Sequence, residues 1–315
     1  FMERHKIPTA RFKVAESAEE AKKILSSGEF TFPLVMKADG LAAGKGAIIC
    51  KSQERGEEVV HSIMVDKQFG KSGNRVVIEE FLSGKEVSFI VLTDGTKVIP
   101  LVTAMDHKAV YDDDKGPNTG GMGAISPSPF IDKNLFDETM KTIIFPTVTR
   151  MLEEGRKFKG VLYAGLMLTD QGPKVLEFNC RFGDPETQSQ VLRMESDLVE
   201  VLLSVVEEKA LEREVKWSRK ASGCVVLASG GYPVKYETGK KIEGLKEASQ
   251  IPGIQLFHAG TKCKDGEYYT SGGRVLGVCA AEDGLSETME KIYNAISLIS
   301  FEAMHFRGDI GRERK

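Results

Sequence analysis

Val175-Leu176-Glu177-Phe178-Asn179-Cys180-Arg181 alternates apolar and polar residues in the way a half-buried strand does. Side chains two residues apart in a strand share a face and stand ~6.6 Å apart. Leu176 and Phe178 are therefore expected to face a core, and Glu177, Asn179 and Arg181 to share the opposite face. That face aligns a carboxylate, an amide oxygen and a guanidinium. A hard divalent cation takes oxygen ligands at ~2.1 Å, commonly one or two protein carboxylates plus substrate phosphates. A guanidinium can clamp a phosphoryl group in transfer. The same alternation also describes an antiparallel hairpin with one wet face. Asp184 and Glu186, two further acids where the strand gives way to a helix, tilt the reading toward a metal and phosphate site.

Outward from this strand, 160–169 turns near Gly172 into 174–180, and 86–93 turns at Asp94-Gly95 into 97–103. Hairpins imply antiparallel pairing, which argues against a doubly wound parallel sheet. Strands are expected at 34–37 and 76–82. Helices are expected at 17–28, where Ser17 and Glu20 form a capping box, and at 53–65. Two longer helices are read at 133–154, kinked by Pro146, and at 187–208. After Trp217 the composition shifts, and strands at 223–228, 254–258 and 275–280 precede a helix at 285–299. The class is mixed α and β, with a boundary near residue 218.

The 315 residues carry a net charge of −3 and show no block of Lys and Arg, so neither nucleic acid nor an anionic membrane surface is the implied partner. No apolar run approaches the ~20 residues of a membrane helix. Five scattered cysteines form no CxxC pair, which suits a reducing cytoplasm rather than a disulfide framework.

Three loops carry further chemistry. Lys37 to Gly46 reads KADGLAAGKG, where small residues let backbone N–H groups approach a polyphosphate and two lysines supply countercharge. It lacks the spacing of a Walker loop, and a flexible surface turn would read the same way. Glu79 to Glu86 offers a strand end whose backbone could meet a purine edge and whose carboxylates could hold ribose hydroxyls, although such acids are usually just solvated. Asp106-His107-Lys108 and the loop GPNTGGMG at 116–123 could wrap an anionic or amino-acid substrate, or serve only as turn chemistry. No Ser/His/Asp or Cys/His arrangement demands a covalent enzyme intermediate.

Taken in order, KADGLAAGKG at 37–46, VIEEFLSGKEVS at 77–88, DHK at 106–108, GPNTGGMGA at 116–124, LYAGLML at 162–168 and VLEFNCRFGDPETQ at 175–188 resemble the ATP-grasp ligases. With HAGT and GGRVL at 258–276, the match is to those members that form glycinamide ribonucleotide, and it spans nearly the whole chain. The resemblance implies an α+β fold: an ATP-grasp unit at 1–218, with a smaller lobe at 15–82 and a larger one from 1–14 plus 83–218, then a small mixed α/β domain at 219–315. It implies ATP and Mg²⁺ (or Mn²⁺), with glycine and 5-phosphoribosylamine as substrates, glycyl phosphate as intermediate, and a place in cytoplasmic purine synthesis. By position, Lys37, Gly44, Lys45 and Gly46 meet the phosphates. Glu79, Glu80 and Leu82 line the adenine edge, and Glu86 holds the ribose. Glu177 and Asn179 ligate the metal, while Arg181, with Lys37 and Asp184, serves the chemical step. Asp106, Lys108, Asn118, Thr119, Gly120, Gly121 and Arg274 contact substrate. The family also has an amino-terminal domain that these residues do not include, and its closing pattern departs after Gly311. A monomer, or one segment of a longer purine-pathway chain, is implied. Another ATP-grasp ligase and a nucleotide-binding piece without full activity stay open as alternatives.

Overall fold

A computed structural model describes residues 1–40, 42, 46–209 and 215–312. Its first sheet runs in the order Phe12–Ala15, Val76–Glu80, Leu34–Ala38 and Ala47–Cys50, with all neighbours antiparallel. Period-two alternation decides its faces. Leu34, Met36, Val76 and Ile78 point to one side and are sealed by the helices Ala18–Ser26 and Gln53–Val60. Ser17 caps the first helix by accepting from Glu20 N, as the capping box requires. The other face carries Val35, Lys37 and Glu79 and borders a cavity.

The second sheet has the order Gly172–Asn179, Gly160–Thr169, Lys85–Thr93 and Val98–Pro100, again antiparallel. One face buries Val87, Phe89, Leu162, Ala164, Leu166 and Val175 against the helical stretch Lys133–Glu153. That stretch passes through a π turn at Met140–Ile144, just before Pro146, whose ring nitrogen has no hydrogen to donate back along the helix. The opposite face is covered at one end by the helix Leu198–Val206 and opens at the other end to the same cavity.

A bulge corrects the expected facing of the central strand. Gly165 pairs with Glu177 but Leu166 pairs with Val175, so Leu176 is an extra residue without a direct opposite. Val175 and Phe178 consequently pack toward the helical core, whereas Leu176, expected in that core, borders the cavity beside Glu177. The expected helix at 187–208 also divides, into Glu186–Val191 and Leu198–Val206. Asp197 starts the second piece by accepting from Val199 N and Glu200 N.

The third sheet joins Gln255–His258, Arg274–Glu282, Ala221–Ala228, Gly123–Ser126 and Met105–Asp106. Residues on both sides of position 218 thus share one sheet. Its core faces the helix Leu285–Ile296 through Val225, Leu227, Val278, Ile292 and Ile296. No described helix is long and apolar enough to cross a membrane.

Candidate active site

A cavity of about 400 Å³ lies where the three sheets meet. The smaller lobe contributes its bare face. Lys37 Nζ lies 2.7 Å from Glu79 Oε2, a diagonal pair on neighbouring strands, and also donates to Leu176 O at 2.9 Å in the opposite lobe. Glu80 takes a different course. Its carboxylate accepts from Arg11 N at 3.0 Å and Arg11 Nε at 2.9 Å. Partial burial would raise its pKa, but those bonds and nearby Lys174 together hold it below the ordinary carboxylate range. Leu82 is buried in the wall beside it. Gly46 sits where the loop rejoins the sheet, its carbonyl accepting from Ala38 N at 3.0 Å; Gly44 and Lys45 lie outside the described residues.

The larger lobe supplies the opposing wall in cross-strand rows. Glu177 stands opposite Gly165, which stands opposite Ser88; Asn179 stands opposite Tyr163. A Cβ at Gly165 would come within 3.3 Å of Glu177 Cγ, so glycine leaves the carboxylate room. Asn179 Nδ2 is 3.1 Å from Glu177 Oε1, which puts the two side chains together. Glu177 borders the cavity and Asn179 stands beside it, outside the lining residues; a carboxylate next to an amide is a donor set suited to a hard divalent cation. Among the described residues no cluster of three or more acidic, His or Cys side chains forms a metal cage, so substrate oxygens would have to complete the coordination. Arg181 follows the strand end, exposed, its guanidinium 5.9 Å from the centre of the Tyr163 ring.

The floor is a charged network. Glu86 and Lys108 form an ion pair. Burial would lower the Lys108 pKa, but Glu86, Asp106 and Glu177 around it hold it above the ordinary lysine value. Asp106 ends a two-residue strand, and its Oδ1 is buried with no hydrogen-bond partner among the described residues. Burial and the nearby Glu186 carboxylate push its pKa well above the ordinary value, against the pull of Lys108 and Arg274. Glu186 is itself buried; its Oε1 accepts from Ser88 Oγ at 2.7 Å and Tyr163 Oη at 2.8 Å.

The glycine-rich loop closes one side. Thr119 N and Oγ1 both donate to Lys108 O at 2.8 Å, and Gly121 N donates to Thr119 Oγ1 at 2.9 Å. Gly121 has φ +113°, and a Cβ there would lie 2.4 Å from Pro185 Cδ and 2.6 Å from Asp106 Oδ1. Arg274 ties this loop to the turn after Arg181. Its Nη1 donates to Gly120 O and to Asp184 O, each at 2.7 Å, and its Nη2 to Asp184 Oδ2 at 3.2 Å. Asn118 and Asp184 also border the cavity.

The structure thus brings Lys37, Glu79, Glu80, Leu82, Glu86, Asp106, Lys108, Asn118, Thr119, Gly120, Glu177, Arg181 and Asp184 to one cavity, while Gly121 and Arg274 brace its rim. Sequence reasoning passed over Ser88 and Tyr163. Their only signal is a hydroxyl set in an otherwise apolar strand, VSFIVL and VLYAGL, where a buried polar group needs a partner.

The family profile of the phosphoribosylglycinamide synthetase ATP-grasp (A) domain matches residues 1–187, and that of the C domain of the same enzyme matches residues 222–313. The chain is 48% identical over 312 residues to a phosphoribosylamine–glycine ligase from Vibrio vulnificus, spanning 99% of this chain and 72% of that protein. It is 49% identical over 313 residues to the one from Escherichia coli K12, with the same coverage. A solved phosphoribosylamine–glycine ligase from Thermotoga maritima superposes with a TM-score of 0.89 at 35% identity, over 98% of this chain and 76% of that one. A biotin carboxylase from Campylobacter jejuni, at 14% identity and a TM-score of 0.73, shares the fold alone. With an α+β ATP-grasp architecture around this cavity and profiles matching most of its length, the chain belongs to the phosphoribosylglycinamide synthetase family.

Proposed function

We propose that this chain is an ATP-dependent carbon–nitrogen ligase that joins glycine to 5-phosphoribosylamine in de novo purine synthesis, releasing ADP and phosphate. The observation that carries the reading is the opposition of Lys37 and Glu79 on one lobe to Glu177, with Asn179 bonded beside it, on the other across one cavity. Phosphoryl transfer needs in-line positioning and charge neutralisation more than it needs a protein nucleophile.

In this reading the adenine edge lies along Glu79 to Leu82. Arg11 occupies the Glu80 carboxylate, and the Arg11 carbonyl accepts from Glu80 N at 3.0 Å. Glu86 holds the ribose and Lys37 the phosphates, aided by the loop through Gly44, Lys45 and Gly46. Glu177 and Asn179 hold Mg²⁺ or Mn²⁺, which when bound neutralises phosphate charge. The glycine carboxylate attacks the γ-phosphate, Arg181 stabilises the phosphoryl group and then the glycyl phosphate, and the amine of phosphoribosylamine displaces phosphate. Asp106, Lys108 and Asn118 to Gly121 orient the substrates, and Asp184 keeps its turn in register through Arg274. The partners are small molecules, the setting is the cytoplasm, and the lobes divide near the expected 15–82 against 1–14 plus 83–218, corrected in that Phe12–Ala15 pairs with Val76–Glu80 and so belongs to the smaller lobe's sheet.

The test is ADP release measured with and without glycine and phosphoribosylamine. Release that depends on both is expected; release unaffected by glycine would overturn the reading.

A further inference from the structure

The hairpin that carries the substrate loop is Ala109–Tyr111 paired with Lys115–Asn118, joined by the acidic turn Asp112-Asp113-Asp114. Asp113 and Asp114 have φ of 58° and 53°, a left-handed conformation uncommon outside glycine, which Asp tolerates better than most residues and which contacts can fix. The contacting partner is distant in sequence. Arg307 is fully buried, and its guanidinium forks onto Asp309, with Nε to Oδ1 and Nη2 to Oδ2 both 2.7 Å. Its Nη1 donates to Ala109 O at 3.1 Å and to Asp114 Oδ1 at 2.9 Å. The backbone around it locks onto the same turn: Gly308 N donates to Asp112 Oδ1 at 2.9 Å, and Asp113 N to Asp309 Oδ2 at 2.9 Å. The acidic triplet therefore serves as the docking face for 305–310 rather than as a metal site.

The consequence reaches the cavity, since Ala109 follows Lys108, whose carbonyl anchors Thr119 and whose ammonium pairs with Glu86. We propose that Arg307 is a positioning residue: through the hairpin 109–118 it sets Lys108 and the loop 118–121 for the amino-acid substrate. The proposal rests on the ligase reading above. Arg307 makes none of the contacts that hold Lys37 or Glu79, and its route to the nucleotide side is the Lys108–Glu86 pair, so ATP binding should register its loss far less than glycine binding does.

The experiment pairs Arg307→Lys, which keeps the charge and loses the fork, with Asp114→Asn, which alters a half-exposed partner and leaves the buried pair intact. Steady-state constants for glycine and ATP are measured alongside amide exchange across 109–121. Arg307→Lys is expected to raise KM for glycine about tenfold with KM for ATP changed less than about twofold, and to speed exchange in the hairpin. Asp114→Asn should move both readouts the same way by less, and it decides the matter if Arg307→Lys does not fold. Unchanged exchange, or equal rises in both KM values, would overturn the positioning role. A wild-type chain without glycine-dependent ADP release would instead overturn the ligase reading, whatever the exchange shows.

Discussion

Lys37 of the smaller lobe donates to the carbonyl of Leu176, the bulged residue of the larger lobe, at 2.9 Å. The cation that the ligase reading assigns to phosphate thus bridges the first and second sheets, with Glu79 as its counter-ion at 2.7 Å.

Lys37→Met should therefore raise KM for ATP at least about tenfold, because a phosphate contact is lost. Stability should change by no more than ~1 kcal/mol, since the ion pair is partly solvated and such pairs contribute little. ATP titration of turnover together with thermal unfolding checks both parts; an unchanged KM would remove Lys37 from the phosphate site.

Glu177 is exposed and supports no core, so Glu177→Gln should leave the unfolding midpoint intact. It should reduce divalent-metal-dependent turnover by about a hundredfold or more, with activity partly recovered only at much higher metal concentration. Chelation of metal from the wild type should likewise abolish turnover without unfolding it. Normal metal dependence in the variant would refute the assignment.

Asp106 gives a pH signature. Its folded pKa is raised by burial and by Glu186, so the fold favours its neutral form. The stability tied to that proton is fully present below the ordinary carboxylate pKa and is lost as pH rises through the folded value. Asp106→Asn removes the titration. The variant should gain stability relative to wild type as pH goes from about 4 to about 8, while losing ligase activity. A stability difference independent of pH, read by denaturant unfolding across that range, would contradict the raised pKa.

Gly121→Ala should destabilise by about 1–3 kcal/mol, because its φ of +113° disfavours a side chain and the new methyl would press on Pro185 and Asp106. Turnover should fall more than stability accounts for, as the loop shifts against Asp106. Wild-type kinetics in this variant would show that the loop geometry is not needed.

Much of the architecture is local in origin and was legible. The strand signals at 34–37, the apolar run 76–82 and the alternation at 175–181 come from neighbouring residues, and so do the turn residues Asp94-Gly95 and Gly172. The pairing of those hairpins followed, and with it the antiparallel sheet that excluded a doubly wound fold. The polar face of Glu177 and Asn179 was likewise legible, because two-residue periodicity survives beyond the bulge. What failed was the side taken by Leu176: the bulge depends on how 160–169 pairs with its neighbour, not on the composition of 175–181.

The sequence by itself determined which residues have the chemistry for a metal, a triphosphate and an anionic substrate, because residue type and strand period are properties of adjacent positions. Only the tertiary structure decided how those residues meet. It buried Asp106 Oδ1 without a hydrogen-bond partner among the described residues, gave Glu186 to Ser88 and Tyr163, and brought Arg274 onto Gly120 across 154 residues of chain. Such contacts join segments remote in sequence, and those of Glu186 draw their strength from shared burial, which no single stretch of sequence encodes.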